Sequence, residues 1–224
     1  MGLISRVQHT VNTGIASLTI LTWNILSSQL AINFPAVNPD YLEWSYRKHL
    51  IFEEFFRVNP DLILLQELDK YEEVAKELKT KGYTGIFQVK RGWHNDGIAI
   101  FYKEEKFKLK NKFLIKFEGN QNALGLRLND GDQEFCVFTT HLKSFEKFDY
   151  VRTGQVKKLV EFFKGLEKLP IIIGGDFNSE PGSCAYNEVY NNCLGLKSVY
   201  YFGKEVEYTT VKQRDNFEVK TEDY

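Results

Sequence analysis

The sequence predicts an α/β (α+β) protein built as a four-layer sandwich, with two mixed β-sheets packed face to face and helices outside them. Three observations lead there. Short apolar, β-branched runs recur along the chain. Amphipathic helical periods fall between some of them. Several of the strand-like runs follow one another with no helix between, which a purely parallel doubly wound sheet does not allow. At 224 residues, 43% of them apolar and including 18 Phe and 12 Tyr, the chain can build one sizeable core without covalent staples.

The elements follow in order. SLTILTWNIL (Ser17–Leu26) is β-rich. YLEWSYRKHLIFEEFFRVN (Tyr41–Asn59) reads as a helix with Leu50, Ile51, Phe52 and Phe55 inward, stopped by Asn59-Pro60. DLILLQE (Asp61–Glu67) is a buried-type strand. The next helix carries Tyr71, Val74, Ala75 and Leu78 at i, i+3, i+4 and i+7 and closes at Gly82. GYTGIFQV, DGIAIFYK and a Lys-rich KFKLKNKFLIKF read as successive strands, the last an edge guarded by charge. ALGLRLN and EFCVFTTHL pair around the turn Asn129-Asp130-Gly131. A helix from about Val151 to Leu166 buries Val156, Leu159, Phe163 and Leu166. It leads to IIIGGDFN, a strand expected to be buried on both faces, and a short helix near Ser183.

Composition narrows the setting. A formal net charge of −1 gives no global field for nucleic acid, and the three cysteines are odd in number with no CxxC pair. The cysteine pattern fits an intracellular, cytoplasmic and reducing compartment rather than a disulfide scaffold or a cysteine zinc site. No apolar run approaches the ~20 residues of a membrane span. Residues 1–17 are a poor signal peptide and are expected to be a disordered leader to a single domain over residues 18–224.

The informative pattern is how four strands end. Apolar runs deliver Asn24, Glu67, His141, and Asp176 with Asn178, at their carboxyl ends. Ligand sites of layered α/β proteins gather at such ends, where a rigid element aims a side chain. The set is mostly oxygen with one imidazole, which suits a hard cation such as Mg²⁺ and not tetrahedral zinc. Each residue also has an ordinary structural explanation. Asn24 could cap a turn, Glu67 could open a helix, and IIIGGDFNSEP could simply be a Gly-Asp-Asn turn. Four such endings in one chain favour a site.

The motifs LTWNIL, PDLILLQEL, DGIAIFYK, TTHLKS and GGDFNSEP, in this order, resemble the endonuclease/exonuclease/phosphatase superfamily. WSYRKHLI, Asn120-Gln121 and the ending YTTVKQRDNFEVKTEDY resemble its deadenylase branch, of the nocturnin and carbon-catabolite-repression types. The resemblance implies Glu67 as principal Mg²⁺ (or Mn²⁺) ligand with Asn24 beside it. It implies that Asp176 positions the attacking water, that Asn178 hydrogen-bonds the scissile phosphate, and that His141 stabilises or protonates phosphate oxygens. Family members also carry a general-base histidine in a Ser-Asp-His motif. Asp223 matches the aspartate that orients it, and Tyr224 follows, so the expectation is an incomplete chain lacking the final strand.

For substrate groups, Arg91, Trp93 and His94 stand in a loop that could offer a stacking face and a charge. Lys143 follows His141, Arg152 and Gln155 open a helix, and Lys212 and Arg214 flank the late YTT segment. The leading function is a Mg²⁺-dependent phosphoesterase acting as a monomer on a nucleotide or single-stranded RNA, with no membrane involved. It is either a 3′ exoribonuclease on poly(A) or a 2′-phosphatase on NADP(H). The alternative is a catalytically inactive domain that binds a phosphate ligand or a protein.

Overall fold

The computed structural model describes residues 10–11, 18–92, 95–166, 168–191, 194–199, 210–213 and 219–222. The first sheet contains β1 (Thr10–Val11), β2 (Leu18–Asn24), β3 (Leu62–Leu68), β4 (Tyr83–Val89) and β5 (Gly97–Lys103), in the order β1-β2-β3-β5-β4. The second contains β6 (Lys108–Lys116), β7 (Asn122–Asn129), β8 (Glu134–His141) and β9 (Ile171–Asp176), in sequence order. Each sheet is mixed: β2 runs parallel to β3 and β8 parallel to β9, while the other pairings are antiparallel. β10 (Thr210–Gln213) and β11 (Val219–Glu222) form a separate antiparallel ribbon. The helices are α1 (Pro39–Leu42), α2 (Trp44–Val58), α3 (Tyr71–Lys79), α4 (Asp149–Lys164) and α5 (Cys184–Tyr190).

Side-chain alternation explains the layering. On β3, Leu62 and Leu64 pack with Ile98 and Ile100 against Leu124, Leu126 and Val137 of the second sheet. Their neighbours Ile63 and Leu65 point the other way, onto Phe55 of α2 and Val74 and Leu78 of α3. Cys136 and Phe138 of β8 face outward onto Val156, Leu159 and Phe163 of α4. The result is the expected four-layer sandwich. Each fully buried side chain of this size contributes about 1.5–3 kcal/mol.

Four expectations change. The helix expected over Tyr41–Asn59 is broken at Glu43, whose ψ of 134° is extended, and Asn38 caps the separate first piece. Within α2 the intended core residue Leu50 is 36% exposed, whereas Ile51 and Phe55 are buried. Residues of β9 are only partly buried, because among the described residues β9 is an edge strand with one side unpaired. The expected leader is also not wholly outside the fold: Thr10 and Val11 pair with Thr19 and Leu18 of β2.

Candidate metal and phosphate site

Two parallel pairs build the site. β2 and β3 bring Asn24 opposite Gln66, and β8 and β9 bring His141 opposite Asp176. The sandwich then sets these four strand ends together. Asn24 Nδ2 donates to Glu67 Oε1 and to Asp176 Oδ2, both at 2.8 Å. His141 Nε2 stands 3.7 Å from Asp176 Oδ2 and 4.0 Å from Glu67 Oε1. One ligand atom from each of Glu67, His141 and Asp176 lies within 4.8 Å of the others.

Glu67 reaches this place through a backbone irregularity. By simple alternation it would follow Ile63 and Leu65 onto the helix-covered face. The β3–β5 register shifts between Leu65 and Leu68, and Glu67 takes a left-handed φ of 54°. A bulge of this kind re-aims one side chain. It turns the carboxylate into the site and returns Leu68 to the core. The second carboxylate oxygen, Oε2, accepts from the buried Ser27 N–H at 3.1 Å.

Beneath Glu67, Gln66 ties the two sheets together. Its Nε2 donates to Leu64 O at 3.1 Å and to Thr139 Oγ1 of β8 at 3.0 Å. On the other side, Gly174 and Gly175 permit close approach, since a Cβ on Gly175 would meet Thr140 O at 2.2 Å. Asp176 Oδ1 accepts from the Asn178 N–H at 3.0 Å, and Asn178, with φ of 50°, donates from Nδ2 to Leu142 O at 3.1 Å. IIIGGDFNSEP is therefore both a turn and part of the cluster.

The donor set fits a hard divalent cation: two carboxylates and one imidazole, with no thiolate. Two carboxylates hydrogen-bonded to the same amide nitrogen also place like charges close together, and an added cation relieves that repulsion. Asn24 stands differently from expectation. It presents its NH₂ to the carboxylates, while its Oδ1 accepts from Leu26 N–H at 3.0 Å. In this arrangement it bridges the acids and is not an oxygen ligand.

The predicted substrate residues separate. Lys143 borders the cluster one residue past Leu142; its N–H donates to Gln155 Oε1, and its Nζ lies 4.8 Å from the centre of the Phe148 ring. Arg91 is exposed, and its N–H donates to Asn120 O. Arg152 does not face a substrate. It is 3% exposed, and its guanidinium donates to Lys143 O at 2.9 Å, Phe145 O at 2.7 Å and Glu146 O at 3.3 Å. Its charge is spent on holding the loop after His141, whose Phe145 has a φ of 72°. Lys212 lies in β10 opposite Lys220. Trp93, His94, Arg214 and Asp223 lie outside the described residues.

Sequence reasoning passed over several residues. A small cleft beside His141 is lined by Lys90, Asp96, Gly97, Ile98, Gln121 and Asn122. Ser27, Gln66 and Asp96 are buried polar residues in or beside the site. Readable signals existed for Gln66, a polar residue in an otherwise apolar run, and for Asp96, Gly97 and Gln121, which lie in the motifs DGIAIFYK and Asn120-Gln121. A wider depression lined by Asp40, Glu43, Tyr46 and His49 gathers no such ligand group among the described residues.

Residues 21–186, from β2 to α5, match the Endonuclease/Exonuclease/phosphatase family. The chain belongs to that family. This endonuclease/exonuclease/phosphatase chain is 32% identical over 237 residues to nocturnin of Homo sapiens, covering 92% of itself and 55% of that protein. It is 32% identical over 202 residues to carbon catabolite repressor protein 4 homolog 3 of Arabidopsis thaliana, covering 83% of itself and 45% of that protein. It thus spans about half the length of the curated relatives it matches. The solved human nocturnin catalytic domain, with a bound sulfate anion, is similar at a TM-score of 0.73 and 31% identity, over 82% of this chain and 73% of that one. ANGEL2, described as a 2′,3′-cyclic phosphatase and solved with adenosine-2′,3′-vanadate, is similar at 0.76 and 26% identity, over 85% of this chain and 61% of that one. The superfamily expected from the five motifs, and the deadenylase branch expected from WSYRKHLI, Asn120-Gln121 and the late YTT segment, are both borne out.

Proposed function

We propose that this chain is a divalent-metal-dependent phosphoesterase that hydrolyses a phosphate ester of a nucleotide or an RNA phosphodiester by in-line attack of water. The observation that carries the proposal is the convergence of Glu67, His141 and Asp176 from three strand ends within 4.8 Å. Glu67 and Asp176 would hold Mg²⁺ or Mn²⁺, which supplies charge neutralisation to the phosphate and its developing oxyanion. His141 Nε2 faces the same space and can donate a hydrogen bond or a proton to a phosphate oxygen. Asn178 uses one amide hydrogen on Leu142 O, which leaves the other for a phosphate oxygen. Asp176 can accept from, and so orient, the attacking water. Phosphoryl transfer needs this alignment and neutralisation more than covalent chemistry.

The adenosine-2′,3′-vanadate held by the similar ANGEL2 structure supports an adenosine-containing substrate, for which oligoadenylate RNA and a dinucleotide such as NADP(H) are the two candidates. A monomer in a reducing intracellular compartment completes the proposal.

The test is calorimetric. Mg²⁺ should bind the unsubstituted chain, and Glu67→Ala should abolish binding; unaltered affinity in the variant refutes the ligand assignment. Turnover of oligoadenylate and of NADP(H), assayed side by side with Mg²⁺, then selects the substrate. No turnover of either by a chain extended to include the family's Ser-Asp-His histidine overturns the catalytic reading in favour of a binding domain.

A further inference from the structure

We infer that Arg47 is a positioning residue that fixes the turn after β2 and, through that turn, the orientation of the Glu67 carboxylate and the Asn24 amide toward a divalent cation. The inference rests on the reading of Glu67 as a metal ligand.

Arg47 stands in the first turn of α2, on the far side of the β2 turn from the cluster. Its Nη1 donates to two consecutive carbonyls, Ile25 O at 2.6 Å and Leu26 O at 2.9 Å. Its Nε donates to Leu42 O at 2.8 Å, the carbonyl set free by the helix break at Glu43. The planar fork of arginine serves α1 and the β2 turn at once, which an ammonium cannot do.

Every group in that turn leads onward to the site. Leu26 holds a left-handed φ of 59°, a strained conformation for a leucine. Its N–H donates to Asn24 Oδ1, which turns the Asn24 NH₂ toward Glu67 and Asp176. The next N–H, of Ser27, donates to Glu67 Oε2 at 3.1 Å, and that of Ser28 to Asp69 Oδ2 at 2.9 Å. Both oxygens of Glu67 are thus set by residues 24–27, and those residues are set by Arg47. Glu67 also needs this support because its own backbone is left-handed.

Two further observations describe the surroundings of Arg47. The second terminal nitrogen of Arg47, Nη2, is buried with no hydrogen-bond partner. Burial lowers the pKa of Arg47, while Asp69, Glu43 and, least of the three, the site residue Glu67 pull the other way.

The test uses the full chain and Mg²⁺ alone, by calorimetry well below each variant's unfolding midpoint. Arg47→Met keeps the stem and loses the fork; its Mg²⁺ affinity should fall by roughly 10- to 100-fold, as for other residues that orient a ligand. Arg47→Lys reaches the turn carbonyls but not Leu42, and should lose roughly 3- to 10-fold. Lys48→Ala, next along the same helix and paired at the surface with Glu73 at 2.8 Å, should leave the affinity unchanged. Unchanged affinity in Arg47→Met overturns the inference, as does an equal loss in Lys48→Ala. Should Arg47→Met fail to fold, Arg47→Lys decides, and an unaltered affinity there has the same force. Absence of Mg²⁺ binding by the unsubstituted chain overturns the metal reading itself, which is a distinguishable result.

Discussion

At the scale of single residues, Arg152 shows how a charge near a site can be structural. Its position at the start of a helix made it a candidate substrate-binding group. In the fold it is buried and bonded to three carbonyls of the loop that follows His141. Removing a buried cation with such partners leaves those carbonyls unmatched. Arg152→Met should therefore cost about 2–4 kcal/mol of stability, measured by denaturant unfolding. Mg²⁺ affinity should stay within a few-fold of the unsubstituted chain. A large affinity loss with intact stability would return Arg152 to the binding surface. Proximity in sequence could not have decided this, because burial depends on how α4 docks.

At the scale of elements, the strand ends matter most. β8 and β9 run parallel with Thr140 beside Gly175 and His141 beside Asp176. A methyl group at Gly175 would stand 2.2 Å from Thr140 O, so the strands must part to admit it. Gly175→Ala should cost about 2–4 kcal/mol in a melt and weaken Mg²⁺ binding as well, since Asp176 moves with β9. A neutral result on both would mean that β9 does not position the acid. Most of these elements were legible beforehand. The β-branched runs gave β2, β3, β8 and β9, and the helical period gave α3 and the inward face of α4. The bulge in β3 was not legible, because the pairing with β5 creates it and no local residue signals it. Nor was the break at Glu43, since the carbonyl that it frees is satisfied by Arg47, five residues after Leu42. Asn24, Glu67, His141, Asp176 and Asn178 were readable as a set because each ends an apolar run. Ser27 was not, because it contributes a main-chain N–H that any residue but proline could supply.

At the scale of the molecule, the first sheet and its helices carry two buried phenols, Tyr83 and Tyr102, and a partly buried one, Tyr71. Tyr71 donates to Gly85 O and Tyr83 to Pro60 O, and Tyr102 is buried at the inter-sheet core. Burial raises the pKa of all three above the ordinary value, with nearby carboxylates adding to the effect. The folded state thus binds these protons more tightly than the unfolded state. Their contribution is complete below the unfolded value near 10 and is lost as pH rises from there toward the folded values. Denaturant midpoints should be flat with respect to these groups up to about pH 9 and fall above about pH 10. Tyr83→Phe should make that fall shallower. Equal slopes in the variant would remove Tyr83 from the account.

The chain passes from one sheet to the other between Lys103 and Lys108, and Glu104 to Phe107 are all that links β5 to β6. Asn24 and Glu67 are encoded before that junction, and His141 and Asp176 after it. In terms of inheritance, each sheet travels with its own half of the site. A recombination event at the junction would exchange one half-site whole, without cutting any strand of either sheet. Whether the new halves then work together would depend on the sheet-to-sheet contacts around Gln66 and Thr139. Those contacts are where compensating changes between the two halves should be sought.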